Sequence, residues 1–342
     1  MKEAVGQAHG KIILIGDHSV VYGSPSIAVP FQAADVSVTL SAAGNHSHIV
    51  SDLYEGAVRS APDSLDGLVG LLNLLRRDHE VEHYHFMITI QSSLPIERGL
   101  GSSAALSVAF IRAFYRYLDQ PLSSQTLLHY TDYAETITHG NPSGLDARVT
   151  ALNQPLFFKK GEIQEPFHFD TPYWLLVCDT GVPGHTKEAV SEVRSHFESR
   201  FSTRRQATHR AIASLGQLVN QMRQALIETT TTPHTASHGK HLGQLINAAQ
   251  RELRTLQVSS PELDAGMNYV IEHGALGAKL TGGGKGGCFY ALVEDEASGE
   301  TLSHALMEQQ LVRDTWLMPF SSEGMGHALQ DSDAEDTNSG RQ

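Results

Sequence analysis

A chain of 342 residues with 40% hydrophobic and 18% charged residues has ample material for an apolar core and reads as two domains of ordinary size. Its net charge of −13 argues against a duplex nucleic-acid binder, which needs clustered cationic surface. No apolar run approaches the roughly 18 residues that span a bilayer, and the opening MKEAVGQAHGK lacks the apolar stretch of a secretory signal. An anionic ligand stays open, because screening within about 8 Å lets local cations, helix N-termini or a metal hold it. The two cysteines, Cys178 and Cys288, lie in apolar stretches and read as core residues in a reducing compartment. A soluble cytoplasmic protein is the expectation.

The chain opens as strand, glycine turn, strand: Lys11 to Ile15, then Gly16 to Ser19, then Val20 to Tyr22. Alternation over Asp35 to Leu40 predicts an antiparallel partner. The spacing over Leu65 to Leu75 is helical, and Phe86 to Ile90 is a strand running into Pro95 and a glycine loop. Residues 104–118 form a helix apolar on most faces, hence buried. A further helix from about Ser124 to His139 is stopped by Gly140 and Pro142. Tyr173 to Asp179 is a short apolar strand, and a domain boundary falls near it. Residues 187–229 and 238–257 are helical, joined by a low-complexity, mobile loop (TTTTPHTASHG). Gly274 to Leu292 reads loop, glycine run, strand. From residue 321 onward the chain is polar, acidic and aperiodic, as in a disordered tail.

The sharpest local signal is the stretch from Pro95 through Arg98, Gly99, Leu100, Gly101, Ser102, Ser103 and Ala104, which leads into the buried helix. Gly99 and Gly101 let backbone N–H groups converge on a ligand. Ser102 and Ser103 sit at N-cap positions at the positive end of the helix dipole, an anion site suited to phosphates or, blandly, a plain cap. A serine hydroxyl there can also reach Mg2+ held by the phosphates. No Walker A string exists. A G-x-G-x-x-A match is present, but no second strand precedes Asp119, so the βαβ unit fails. The second glycine run, Gly282 to Gly287, either wraps a ligand closely or is a flexible surface loop.

Glu135 and Asp146 flank a tight Gly-Asn-Pro turn that brings both carboxylates to one cleft. The competing readings are a solvated helix face for Glu135 and a capping box, Ser143-Gly-Leu-Asp146, for Asp146. Lys11 opens a strand, where a solvated lysine is the default. His18 follows a glycine at a strand end, the setting of a hydrogen-bonded turn residue. His79-Glu80-Val-Glu-His83 matches a zinc-protease string but sits at a polar junction in a chain with 19 histidines, and is rejected as a metal site.

Taken in order, the stretches Lys11 to Gly23, Pro95 to Ala105 and Lys279 to Gly287 resemble the three signature motifs of the GHMP kinases, the galacto-, homoserine, mevalonate and phosphomevalonate kinases. GDHSVVYG, HGNPSGLD and Asp179 to Thr186 are most similar to the mevalonate kinases of the shorter bacterial type. The resemblance implies an α/β fold with an N-terminal domain of the ribosomal-protein-S5 type over 1–172. A ferredoxin-like domain over 173–320 and the tail 321–342 complete it. By motif, Asp146 and Lys11 are catalytic, Ser103 and Glu135 hold Mg2+, and Asp17, His18, Thr186 and Gly283 contact the substrate. Pro95, Arg98, Gly99, Leu100, Gly101, Ser102, Ser103 and Ala104 cradle ATP, and the 282–287 run closes over the site.

The implied reaction is phosphorylation of the primary alcohol of mevalonate by Mg·ATP, with no nucleic acid or membrane partner. The resemblance allows a homodimer. The residue types suit phosphoryl transfer, which asks for positioning and charge neutralisation. Three positions depart from the family: Asp17 stands for a glutamate, Gly283 for an alanine, and Gly184 for the basic residue of animal members. A sister kinase acting on phosphomevalonate or homoserine, and a non-catalytic relative, are the rival readings. A non-catalytic relative would have lost Lys11, Glu135 or Asp146, and all three are present.

Overall fold

A computed structural model describes residues 2–140, 142–231 and 235–325. Strand β1 (Glu3–Ile15) pairs antiparallel along its whole length with β2 (Ser26–Ala42), in register from Glu3 opposite Ser41 to Ile15 opposite Ile27, with irregularities at His9/Gly10 and Ile13/Ile15. The long β2 is shared: residues 36–42 pair with β5 (Phe86–Ser92) and residues 26–28 with β6 (Leu156–Lys159). The short strands β3 (His48–Val50) and β4 (Glu55–Ala57) extend the sheet beyond β5, and β7 (Ile163–Pro166) extends it beyond β6. Asp35 to Leu40 is therefore antiparallel to its partner, as its alternation implies.

Four helices cover this seven-stranded sheet: α1 (Asp66–Asp78), α2 (Ser102–Tyr117), α3 (Ser124–His139) and α4 (Leu145–Leu152). Helix α2 is buried along most of its length, from Ala104 to Tyr115, which is why its sequence is apolar on most faces. It lies directly on β1. A Cβ added to Gly6 would come 2.0 Å from the Ala109 carbonyl oxygen and 2.4 Å from the Ala113 nitrogen, so only glycine permits this approach.

The second sheet is four-stranded and antiparallel: β8 (Trp174–Asp179), β9 (Gly277–Leu280), β10 (Cys288–Val293) and β11 (Asp314–Pro319), in the order β11-β8-β10-β9. Helices α5 (Thr186–Phe197), α6 (Ser202–Glu228), α7 (Ala236–Thr255), α8 (Pro261–Glu272) and α9 (Glu296–Glu308) belong to this half. Cys178 and Cys288 are both buried in its central strands. One apolar core runs through both halves, with Phe31 of β2 edge-on to Trp316 of β11 at 5.7 Å. No helix among the described residues is long and apolar enough to cross a membrane.

Several sequence expectations are corrected. Ser19–Tyr22 is a 3-10 helix, not a strand, because His18 turns the chain with φ 59° and Gly23 ends it with φ 80°. The helical stretch 187–229 is two helices, broken at residues 198–201. Lys11 does not open a strand but lies mid-β1, buried. Ser322–Met325 form a short helix, α10, in place of a disordered tail. Met325 is fully buried, and the Phe169 N–H donates to Ser322 Oγ at 2.8 Å. The rest of that tail, 326–342, lies outside the described residues, as do residues 232–234 of the loop expected to be mobile. The flanks of that loop are structured: Thr229 N–H donates to the Leu226 carbonyl, and His238 Nδ1 accepts the Thr235 N–H at the start of α7.

Candidate active site

The site is built outward from Lys11. Gly10 lies so close to the first glycine loop that a Cβ would sit 2.6 Å from the Leu100 carbonyl oxygen. The Lys11 N–H donates to that same carbonyl at 2.9 Å, and Nζ donates to the Gly99 carbonyl at 3.0 Å. The ammonium thus holds the loop from below and meets Asp146 Oδ1 at 3.2 Å. The lysine side chain is buried, whereas the Asp146 side chain is 36% exposed, so the carboxylate is the member of the pair that a ligand can reach.

Glycine loop 99–101 turns through positive φ at Gly99 (82°) and Gly101 (76°). Gly101 is the N-cap of α2, with no side-chain cap; Ser102 and Ser103 are the helix's first two residues and not its caps. The Ser103 hydroxyl is thereby free of the backbone and donates to Glu135 Oε1 at 2.7 Å. Glu135 is buried on α3. Burial pushes its carboxyl up to about 7; the Ser103 hydrogen bond opposes that rise and the Asp146 charge adds to it. His139, one turn on, brings Nε2 within 3.7 Å of Glu135 Oε2, and burial lowers its pKa.

Asp146 is the second residue of α4, whose N-cap is Gly144 in the left-handed region. Ser143 Oγ accepts the Leu145 N–H at 3.2 Å, and the Asp146 carboxylate turns to Lys11 instead of back to the helix start. The expected capping box does not form. Arg148 pins α4 to α3 through Asp132, at 2.6 Å and 2.8 Å. The turn between Glu135 and Asp146 is set by Gly140 and Gly144, while Asn141 lies outside the described residues.

The opposite wall comes from the second half. The run 282–287 packs on the protein's own backbone. Cβ atoms would come 2.7 Å from Gly99 Cα at Gly282, 2.1 Å from the Val258 carbonyl oxygen at Gly284, and 2.3 Å from the Pro183 carbonyl oxygen at Gly286. The Gly184 N–H donates to the Glu97 carbonyl, Gly287 N–H to Val182, and Cys288 N–H to Arg98. Gly283 lies under Thr186, the exposed first residue of α5, whose Oγ1 would be 2.1 Å from a Cβ at Gly283. His18 Nε2 meets the Gly283 carbonyl at 2.9 Å, and burial lowers the His18 pKa.

Of the residues expected to cradle ATP, Gly99, Gly101, Ser102 and Ser103 line the loop and first turn of α2. Leu100 and Ala104 are buried and contribute backbone, and Pro95 stands partly exposed at the loop entrance. The Arg98 side chain faces elsewhere: Nε pairs with Asp179 Oδ1 at 2.9 Å and Nη2 donates to the Gly181 carbonyl at 3.0 Å. Asp17 is wholly enclosed, pairing with Lys279 and accepting the Gly282 N–H at 2.8 Å. Lys279, Asp179 and His139 lie within the motif stretches quoted above but had no role assigned to them there. The available signal was a lysine between apolar Ala278 and Leu280 in a buried strand. The string at His79 straddles the end of α1, with His79 Nε2 on the Tyr115 hydroxyl at 3.1 Å, so its two histidines do not share a helix face.

Ser103 and Glu135 suit Mg2+. They are hard oxygen donors 2.7 Å apart, and the carboxylate has no lysine or arginine ion pair among the described residues.

The profile of the GHMP kinases N terminal domain matches residues 68–154, and that of the GHMP kinases C terminal domain matches residues 209–312. Two packed α/β halves, with glycine loops from each meeting over a buried lysine, define an ATP-dependent small-molecule kinase of this class. A mevalonate kinase from Thermococcus onnurineus is 30% identical, the match covering 86% of this chain and 90% of that one. A crystal structure of mevalonate kinase from methicillin-resistant Staphylococcus aureus superposes with a TM-score of 0.69 at 30% identity, over 96% of this chain and all of that one. The fold is also that of L. major mevalonate kinase in complex with R-mevalonate, with a TM-score of 0.76 at 22% identity, covering 93% and 95% of the two chains. The chain belongs to the mevalonate kinase family of the GHMP kinases.

Proposed function

We propose that this protein phosphorylates the primary alcohol of mevalonate with ATP, and that Lys11 and Asp146 carry the step. The observation behind this reading is the double engagement of the Lys11 ammonium, on the Gly99 carbonyl and on the Asp146 carboxylate. One cation thus links the phosphate loop to the proposed base. Asp146 takes the hydroxyl proton as the alcohol oxygen bonds to the γ-phosphorus and the bond to the β-phosphate bridging oxygen breaks, releasing ADP. Lys11 balances the charge that moves between these oxygens. Ser103 and Glu135 would hold Mg2+, which when bound neutralises the triphosphate in an otherwise acidic protein. His18, Thr186 and Gly283 flank the alcohol. Two free, buried cysteines suit a reducing compartment, the cytoplasm.

The test is ADP release measured with mevalonate, phosphomevalonate, homoserine and galactose, compared as kcat/KM. Mevalonate is expected to lead; preference for another alcohol overturns the assignment. In Mg2+ titrations Ser103→Ala and Glu135→Gln are each expected to raise the half-saturating concentration, and unchanged dependence in both removes them as ligands.

A further inference from the structure

We infer that Asp17 is a positioning residue of this site: through Lys279 and the Gly282 amide it fixes His18 and Gly283, and it does not itself touch substrate. The inference deepens the kinase reading above and rests on it for the meaning of those two residues.

The geometry leaves Asp17 no free oxygen facing the cleft. Its side chain and that of Lys279 are both 0% exposed, with Oδ2 on Lys279 Nζ at 2.5 Å and Oδ1 on the Gly282 N–H at 2.8 Å. Lys279 in turn donates to the carbonyls of Leu280 and, at 3.4 Å, Ile13. Its ammonium lies 5.5 Å from the centre of the Tyr290 ring, whose hydroxyl donates to the Leu14 carbonyl at 2.6 Å. Ile13 N–H donates to Thr281 Oγ1 at 2.9 Å. Peptide groups at the end of β1 are thus satisfied by side chains of β9, β10 and the residue after β9. This seam joins the turn at 16–18 to the run at 282–283 as one body.

His18 shows what the seam holds. It has φ 59°, a conformation rare for a residue with a side chain, and its ring is nearly buried. The Gly283 carbonyl can only accept, so Nε2 carries the proton and Nδ1 is left as an acceptor. A buried ion pair whose partners lie on different halves of the molecule sets registry between them, and here that registry places the His18 ring against Gly283.

The test uses the full chain. In hydrogen exchange on the wild-type protein, the Gly282 amide is expected to be protected with β9; exchange at the rate of an open loop overturns the inference. In Asp17→Asn, the one remaining side-chain oxygen cannot serve both Lys279 and Gly282. KM for mevalonate is expected to rise about tenfold or more, the scale of a lost hydrogen bond to a charged group, with KM for ATP changing far less. Exchange at 282–284 should quicken. Adding Lys279→Met frees the asparagine oxygen for Gly282 and removes the unpaired ammonium, so the double variant should regain both protection and much of the KM. If the single variant does not fold, the double variant carries the test alone.

Turnover lost in the double variant with wild-type protection at 282–284 would make Asp17 a direct substrate contact and overturn the inference. Faster exchange with an unchanged KM would overturn it too. Failure of the wild-type protein to phosphorylate mevalonate would defeat the functional reading while leaving the exchange results standing.

Discussion

Asp146 and Glu135 are separated by ten residues and a tight turn, yet they face opposite demands. Asp146 is paired with Lys11 and reachable from the cleft. Because Gly144 is the cap of α4, Asp146→Asn removes no cap. The amide keeps an oxygen for the buried Lys11 ammonium but not its counter-charge, so a loss of about 1–3 kcal/mol is expected in melts, while kcat of the folded enzyme falls by roughly 10²–10⁴, the usual worth of a positioned base. Near-parental turnover would take the base away from the mechanism. Glu135 is buried with its carboxyl raised to about 7 from 4.5, so the folded chain binds that proton more tightly than the unfolded one. Its carboxyl therefore costs nothing below about pH 4.5, and stability falls as pH rises through about 7. Without ligands, Glu135→Gln should be more stable than the parent at pH 8, by at most about 3 kcal/mol. The two should converge near pH 5. Thermal melts from pH 5 to 8 decide it; a gap that widens toward acid would contradict the burial argument.

At the scale of elements, α2 and α3 were legible because long apolar periodicity and the Gly140 stop are local signals. The first half of β1 was not: its buried residues are Ala4, Gly6 and Ala8, too small to register as an apolar face. They are small because α2 sits on them. Gly6→Ala places a methyl against two backbone atoms and is expected to destabilise by about 3 kcal/mol or more in urea titrations, with kcat unchanged in the folded fraction. The break between α5 and α6 was hidden because the helical charge pattern runs on through residues 198–201. In the candidate site the motifs pick out Ser103, Glu135, Lys11 and Asp146, which the structure brings together in pairs. Lys279, and Asp179 as the partner of Arg98, had no role assigned, since a lysine or arginine in sequence defaults to solvent and only the packing of two distant strands buries it. The short α10 was missed for a related reason: its one apolar anchor, Met325, and its hydrogen bonds to distant Phe169 are set by tertiary packing and leave no periodic signal. Met325→Ala should lower stability by about 2–5 kcal/mol.

Across the whole molecule, two buried ion pairs of opposite polarity bind the halves. Asp17 of the first half meets Lys279 of the second, and Arg98 of the first meets Asp179 of the second. Like charges would face each other if either pair exchanged partners, so the arrangement admits one alignment. Arg98→Met strands the Asp179 carboxylate and is expected to remove about 3–5 kcal/mol of stability, read from the melting transition. The same docking has already stacked Gly99 on Gly282 and Gly284 on Val258. Under the proposed function, a nucleotide arriving at that surface would meet loops whose backbone freedom was surrendered when the chain folded, so little would remain to be frozen on binding. Titration calorimetry at several temperatures should therefore return a heat-capacity change no larger than the nucleotide's own buried apolar surface accounts for.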